Sequence, residues 1–138
     1  VVEFIDKAGI NLPLYSYPYR VSGGQKQLAV LIRGLISQPD LLILDEPFTS
    51  LDSNHTTLMA DALIRLWEFT GTTTILVTHD LLRGIFLSDQ IILLSPRPMK
   101  IIHSQKISLP RPRSHLDQNF ISLLNKLQQI LLANMDEI

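Results

Sequence analysis

The chain contains no cysteine, which excludes disulfide bonds, thiolate metal sites and cysteine nucleophiles and is compatible with a reducing compartment. It carries almost no net charge. Twelve basic residues against thirteen acidic ones leave −1 at pH 7, which argues against a nucleic-acid partner, because such partners usually select a basic face. No apolar run approaches the ~18 residues that span a bilayer, and the opening shows no signal-peptide pattern. Internal repeats and low-complexity segments are also missing. Aromatics make up only 7% of the chain, and its single tryptophan, Trp67, reads as packing rather than as a stacking platform. What remains is a chain of 138 residues, 46% hydrophobic and 18% charged. That is about one globular domain with enough apolar material for a core. It opens on Val1 with no start-like feature, so a portion of a longer protein is expected.

The densest apolar stretch, Leu41 to Leu44, runs directly into Asp45 and Glu46. An unbroken apolar run of this length predicts a strand buried on both faces, as in a parallel sheet. Met59, Ala62, Leu63, Leu66 and Phe69 then predict a helix that closes near Gly71. Thr72 to Thr78 is β-branched and apolar and predicts a second buried strand, followed by His79 and Asp80. Strand, helix and strand in this order make a βαβ unit whose two strands are parallel. Both polar clusters then fall on the carboxyl edge of the sheet, where open α/β folds bind ligands.

Around this centre, Val1 to Ile10 predicts a short helix stopped at Gly9. Residues 11–20, with two prolines and three tyrosines, predict an irregular loop. Leu28, Leu31, Ile32, Leu35 and Ile36 predict an amphipathic helix beginning near Gly24 and ended by Gln38-Pro39-Asp40. Downstream come a brief helix over 81–87, a strand over 90–95 and an antiparallel or edge strand over 100–107. Leu109 to Arg113 reads as a linker, since two prolines do not fit a ladder. A terminal helix over 114–133 follows, with Ser114 and Asp117 placed like a capping box.

Several residues can carry chemistry. Ser22-Gly23-Gly24 at the mouth of a helix suits a phosphate: the first amides lack partners, the helix dipole favours an anion, and glycine lets it approach. The same residues also serve as an ordinary turn and N-cap. Asp45 and Glu46 are adjacent at a strand end, so one carboxylate can hold Mg²⁺ while the other faces a water; a solvated acidic turn is the plainer alternative. His79 can donate a hydrogen bond to a phosphate oxygen. His55, His103 and His115 read as surface residues. Arg97, Lys100, Lys106, Arg111 and Arg113 read as a solvated basic face.

Taken together, Val21-Ser-Gly-Gly-Gln25, Leu41 to Pro47, Ser50-Leu-Asp52 and Thr78-His-Asp80 resemble, in this order and spacing, the nucleotide-binding domain of an ATP-binding cassette (ABC) ATPase. The resemblance covers essentially the whole chain and implies an α/β, P-loop NTPase-like parallel sheet with flanking helices. By resemblance, Ser22, Gly23, Gly24 and Gln25 form the signature that contacts the γ-phosphate of ATP held by the opposite subunit of a head-to-tail dimer. Asp45 is the Walker B aspartate for Mg²⁺, Glu46 the general base, Asp52 a residue of the D-loop at the dimer interface, and His79 the switch histidine. Residues 91–98 and 107–113, with the terminal helix, are similar to ATPases of nitrate, sulfonate and taurine importers.

There are departures from the family pattern. Val21 stands where leucine is commoner, and Lys26 where arginine is frequent. No Gly-x-x-x-x-Gly-Lys-Ser/Thr occurs, so the main phosphate grip is absent from this sequence. The resemblance therefore implies the C-terminal portion of the domain. Residues 1–110 hold the end of the helical subdomain, the signature, Walker B, the D-loop and the switch histidine; residues 111–138 form a linker and helix. The expected function is the ATP-hydrolysing subunit of an importer, peripheral on the cytoplasmic face of the inner membrane. Its expected partners are a transmembrane permease, a second ATPase subunit and, indirectly, a solute-binding protein. The alternatives are a soluble non-transport ABC ATPase and a catalytically silent truncated product.

Overall fold

A computed structural model describes residues 2–7, 9, 13–49, 51 and 53–134 and divides the chain into two compact units, Val1–Val77 and Thr78–Ile138.

In the first unit, α1 (Val2–Lys7) buries Ile5, and Gly9 follows at φ +60°, a left-handed turn that glycine adopts without strain. A 3-10 turn over Pro18–Arg20 leads to Ser22, which caps α2 (Gly23–Ile36). The apolar stripe of α2 buries Leu31, Ile32 and Leu35, and the helix ends where Gln38 takes φ 49° ahead of Pro39. β1 (Leu41–Asp45), α3 (Ser53–Thr70) and β2 (Thr73–Val77) complete the unit. Among the described residues, α3 buries Thr56, Met59, Ala60, Ala62, Leu63 and Leu66, which recur at helical spacing. Phe69 is half-exposed and meets Phe4 edge-to-face at 5.5 Å. Gly71, at φ +64°, donates its amide to Trp67 O and closes the helix.

β1 and β2 pair in parallel, with Leu41 opposite Thr73 and Asp45 opposite Val77. The expectation of burial on both faces is corrected. Leu41, Ile43, Ile75 and Val77 are exposed (46–62%), while Leu42, Leu44, Thr74 and Leu76 are half-buried. The covered face meets α2, where Gly34 lies against Leu42 closely enough that a β-carbon would sit 3.5 Å from Leu42 Cδ1. Among the described residues no element covers the other face.

In the second unit, α4 (Leu81–Leu87), β3 (Gln90–Leu94), β4 (Ile101–Lys106) and α5 (Gln118–Ala133) enclose a core of Ile85, Ile91, Leu93, Ile107, Phe120 and Leu127. β3 and β4 are antiparallel and alternate strictly at β3, where Ile91 and Leu93 point inward and Ile92 and Leu94 outward. The capping box expected at Ser114 and Asp117 is corrected. Asp117 is itself the N-cap, accepting from Asn119 N at 2.7 Å, whereas Ser114 Oγ accepts from Leu116 N in a separate turn. The solvated basic face is corrected at Arg113, which is 8% exposed and donates to backbone carbonyls of α4 and the turn after it. Burial, with Arg111 nearby, lowers the Arg113 pKa below its usual value and Asp89 opposes the shift; an arginine keeps its charge regardless.

Phe120 is 1% exposed at the centre of the second core. Phe120→Ala should lower the unfolding free energy by about 3–5 kcal/mol in denaturant titration, from lost transfer energy plus an unfilled cavity.

Candidate functional site

Three short segments hold the candidate residues. The first is the mouth of α2. Ser22 Oγ accepts from Gln25 N at 3.2 Å, and Gln25 Oε1 accepts from Ser22 N at 2.9 Å, a complete capping box. This cap uses two donors at the turn but leaves the amides of Gly23 and Gly24, the first two of the helix, without intrahelical acceptors. The two glycines differ. A β-carbon at Gly23 would meet nothing within 4 Å, so that side of the turn is open to an incoming anion. A β-carbon at Gly24 would lie 2.6 Å from His55 Cδ2, so Gly24 is needed for α2 to approach α3.

The second segment is the carboxyl end of β1. Asp45 is exposed and sits opposite Val77, the last residue of β2. Glu46 takes φ 45°, in the left-handed region that non-glycine residues rarely adopt. Its amide still donates to Val77 O at 2.9 Å, which extends the ladder by one bond while the chain turns out of the sheet. Strain of this kind costs about 1–3 kcal/mol and persists where surrounding bonds over-determine it, commonly at functional positions. The sequence holds one trace of it, Pro47, which disfavours right-handed helix in the residue before it.

The third segment follows β2. His79 is exposed two residues beyond Val77, and Asp80 caps α4 by accepting from Arg83 N at 3.1 Å and from the Arg83 guanidinium. Asp80 N donates to Thr78 Oγ1 at 3.1 Å, so His79 lies inside a locally bonded turn. It borders an open cleft of about 440 Å³ that Asp80, Leu124 and Gln128 also line.

The parallel register thus puts the carboxyl ends of β1 and β2, Asp45 and Val77, side by side within the first unit. Asp52, the expected D-loop residue, lies outside the described residues. A Mg²⁺ ion bound with nucleotide takes only one or two protein carboxylates, the rest of its shell being phosphate oxygens and water. A single exposed carboxylate at a strand end fits that demand, and among the described residues no cluster of three or more His, Cys, Asp or Glu offers a closed metal cage.

Two features went unforeseen. Gln27, one turn into α2, donates from Nε2 to Thr49 O at 3.1 Å and ties the capped helix to the segment after Glu46; its Oε1 is buried and finds no hydrogen-bond partner among the described residues. No sequence signal separates it from the other polar residues of α2, Gln25, Lys26 and Arg33. His55 and His103 are not surface residues: His55 is half-buried against Gly24, and His103 is half-buried on β4 opposite Leu93. His115 is exposed, as expected.

Comparison with known proteins places this arrangement. The ABC transporter family matches residues 3–49. An aliphatic sulfonates import ATP-binding protein of Xanthomonas axonopodis pv. citri is 40% identical over all of this chain and 54% of its own length. A nitrate import ATP-binding protein of Synechococcus elongatus is 35% identical over 95% of this chain and 21% of its own. A dimeric bacterial ABC transporter cassette superposes with a TM-score of 0.58 at 26% identity, over 79% of this chain and 46% of that one. A dimeric cassette in a post-hydrolysis state bound to ADP and Pi gives a TM-score of 0.57 at 25% identity over the same shares.

The fold is therefore α/β and P-loop NTPase-like, a parallel sheet with flanking helices. The chain resembles the ATP-binding proteins of ABC transporters, these sulfonate and nitrate import proteins among them. It spans about half the length of the sulfonate import relatives it matches.

Gly24→Ala should destabilise the protein by about 1–3 kcal/mol, the usual cost of forcing atoms into a packed contact. Gly23→Ala should be neutral or stabilising by up to ~1 kcal/mol, because alanine is the better helix former and space is free. Thermal or denaturant melts of the two variants separate the packing glycine from the open one.

Proposed function

We propose that this chain supplies the signature, Walker B and switch elements of an ATPase that powers import of a small anion or organic solute, such as a sulfonate, nitrate or taurine. The observation that carries the reading is the shared strand end, where Asp45 is paired opposite Val77 and Glu46 is held at φ 45° by its bond to Val77 O. The importer relatives support the transport reading over a soluble non-transport ATPase.

Asp45 would be a ligand of Mg²⁺, which when bound with ATP neutralises phosphate charge and orients the nucleotide. Glu46, half-buried and turned out of the sheet, accepts a proton from the water that attacks the γ-phosphorus; the bond to the ADP oxygen breaks as the new one forms. His79 donates to a γ-phosphate oxygen and so senses whether the nucleotide is intact. Ser22 and the amides of Gly23 and Gly24 donate to the phosphate held by a second copy, whose own signature serves this copy's nucleotide in a head-to-tail dimer. Gln25 braces that turn, and Asp52 lies where the two copies cross. Closure of the dimer excludes water and completes each site.

The remaining partners are a transmembrane permease and, through it, a solute-binding protein. Residues 1–20 are the proposed docking region. Tyr15, Tyr17 and Tyr19 are all exposed there (65–98%), Tyr17 stacks on Tyr19 at 5.5 Å, and interface cores are enriched in such aromatics. Among the described residues no helix is long and apolar enough to cross a membrane, which is compatible with a peripheral position on the cytoplasmic face.

In the full-length protein, Glu46→Gln should leave ATP affinity within a few-fold and slow hydrolysis by about 10²–10⁴-fold, the usual contribution of a general base. Phosphate-release assays beside nucleotide titration check this. Near-normal turnover would remove Glu46 from its role.

A further inference from the structure

Two arginines of the second unit, Arg111 and Arg113, are held by several hydrogen bonds and lie far in sequence from the signature and strand-end residues. Arg113 is 8% exposed, and its guanidinium donates to Ile85 O at 2.7 Å, Phe86 O at 3.3 Å and Ser88 O at 2.6 Å, with Nε bonding Leu109 O at 3.1 Å. Arg111 donates to Leu87 O and to Asp89 Oδ1, both at 2.6 Å. Asp89 also lies 3.8 Å from Arg113 Nη2.

The four carbonyls from Ile85 to Ser88 are those a helix leaves unpaired as it ends. In α4 every one of them receives an arginine. Two positive charges also face the negative end of the helix dipole.

α4 needs such support. It has seven residues, and helices well under ~12 residues are marginal by themselves. Its amino end is held by Asp80, with His79 directly before that cap. A helix of this length is about 10 Å long, so a tilt of roughly 10° about its carboxyl end moves the amino end by about 2 Å. Displacements near 1 Å at reacting groups cost up to about 10²-fold in rate.

We propose that Arg113, seated by Asp89 and doubled by Arg111, is a positioning residue for His79: it locks the carboxyl end of the short helix whose amino end presents that histidine. The inference rests on the ATPase reading, in which His79 contacts the nucleotide. The two donor positions of the guanidinium divide the work. Nη1 alone meets the three helix-end carbonyls, while Nε holds Leu109 O, so one planar group ties the helix end to the segment after β4, whereas a lysine ammonium has only one nitrogen on a flexible stem.

The test is a double-mutant cycle in the full-length protein, using Arg113→Lys, His79→Ala and the two combined, with steady-state kcat and KM for ATP as readouts. Arg113→Lys should lower kcat about tenfold with KM within about twofold. In the His79→Ala background the same substitution should change kcat by less than about twofold, because the group being positioned is gone. Equal losses in both backgrounds, or a lower melting temperature with unchanged kcat, would overturn the proposal and leave Arg113 a stability residue.

Should Arg113→Lys fail to fold, Asp89→Asn, at a side chain 62% exposed, enters the same cycle under the same criterion. Hydrolysis left intact by His79→Ala also overturns the proposal. A wild-type protein without ATPase activity overturns the ATPase reading itself, a result the cycle does not mimic.

Discussion

Everything at the candidate site hangs on the parallel pairing of β1 with β2. The register sets Asp45 opposite Val77, and one further bond, Glu46 N to Val77 O, is made after regular strand geometry has ended. That bond lets a glutamate rest at φ 45°. Without it the local cost would drive Glu46 back to an extended conformation, and its carboxylate would follow the pleat like any other strand residue. Successive strand residues point to opposite faces; the turn at Glu46 breaks that rule where two neighbouring carboxylates are proposed to serve one nucleotide in different roles. The pairing therefore fixes the direction of the side chains as well as the position of the backbone.

The turn at Ser22 to Gly24 shows a similar economy. Its two glycines are chemically identical and physically different, since one faces open space and the other abuts His55. Gln27 extends the logic along α2, because its bond to Thr49 O connects the capped helix to the segment leaving Glu46. Helix mouth and strand end are thus parts of one bonded assembly within the first unit.

Much of this was legible in the sequence because local rules and tertiary packing agree. Helical spacing of Leu31, Ile32 and Leu35 reported the buried stripe of α2, Gly71 marked the end of α3, and the β-branched run at 72–78 marked β2, which spans Thr73–Val77. The failures share a cause, which is that a residue's role depends on distant partners. The apolar run at 41–44 records hydrophobicity and says nothing of what covers each face, so Ile43 was expected inside and stands exposed. Arg113 looked like one charge in a basic stretch, because its acceptors lie some twenty-five residues earlier and are backbone carbonyls, invisible to any side-chain pattern. At α5 two capping candidates three residues apart compete, and sequence order alone does not choose between Ser114 and Asp117. The left-handed Glu46 had only Pro47 to announce it.

One consequence of the capping box concerns the amide of Gln25. Its oxygen is engaged by Ser22 N, while among the described residues no hydrogen bond claims its nitrogen. A glutamate there would close the same box equally well, yet it would bring a formal negative charge to the doorway a phosphate is proposed to use. Neutral glutamine keeps the box shut without repelling the visitor. The choice between two nearly isosteric side chains is thus settled by the guest rather than by the helix.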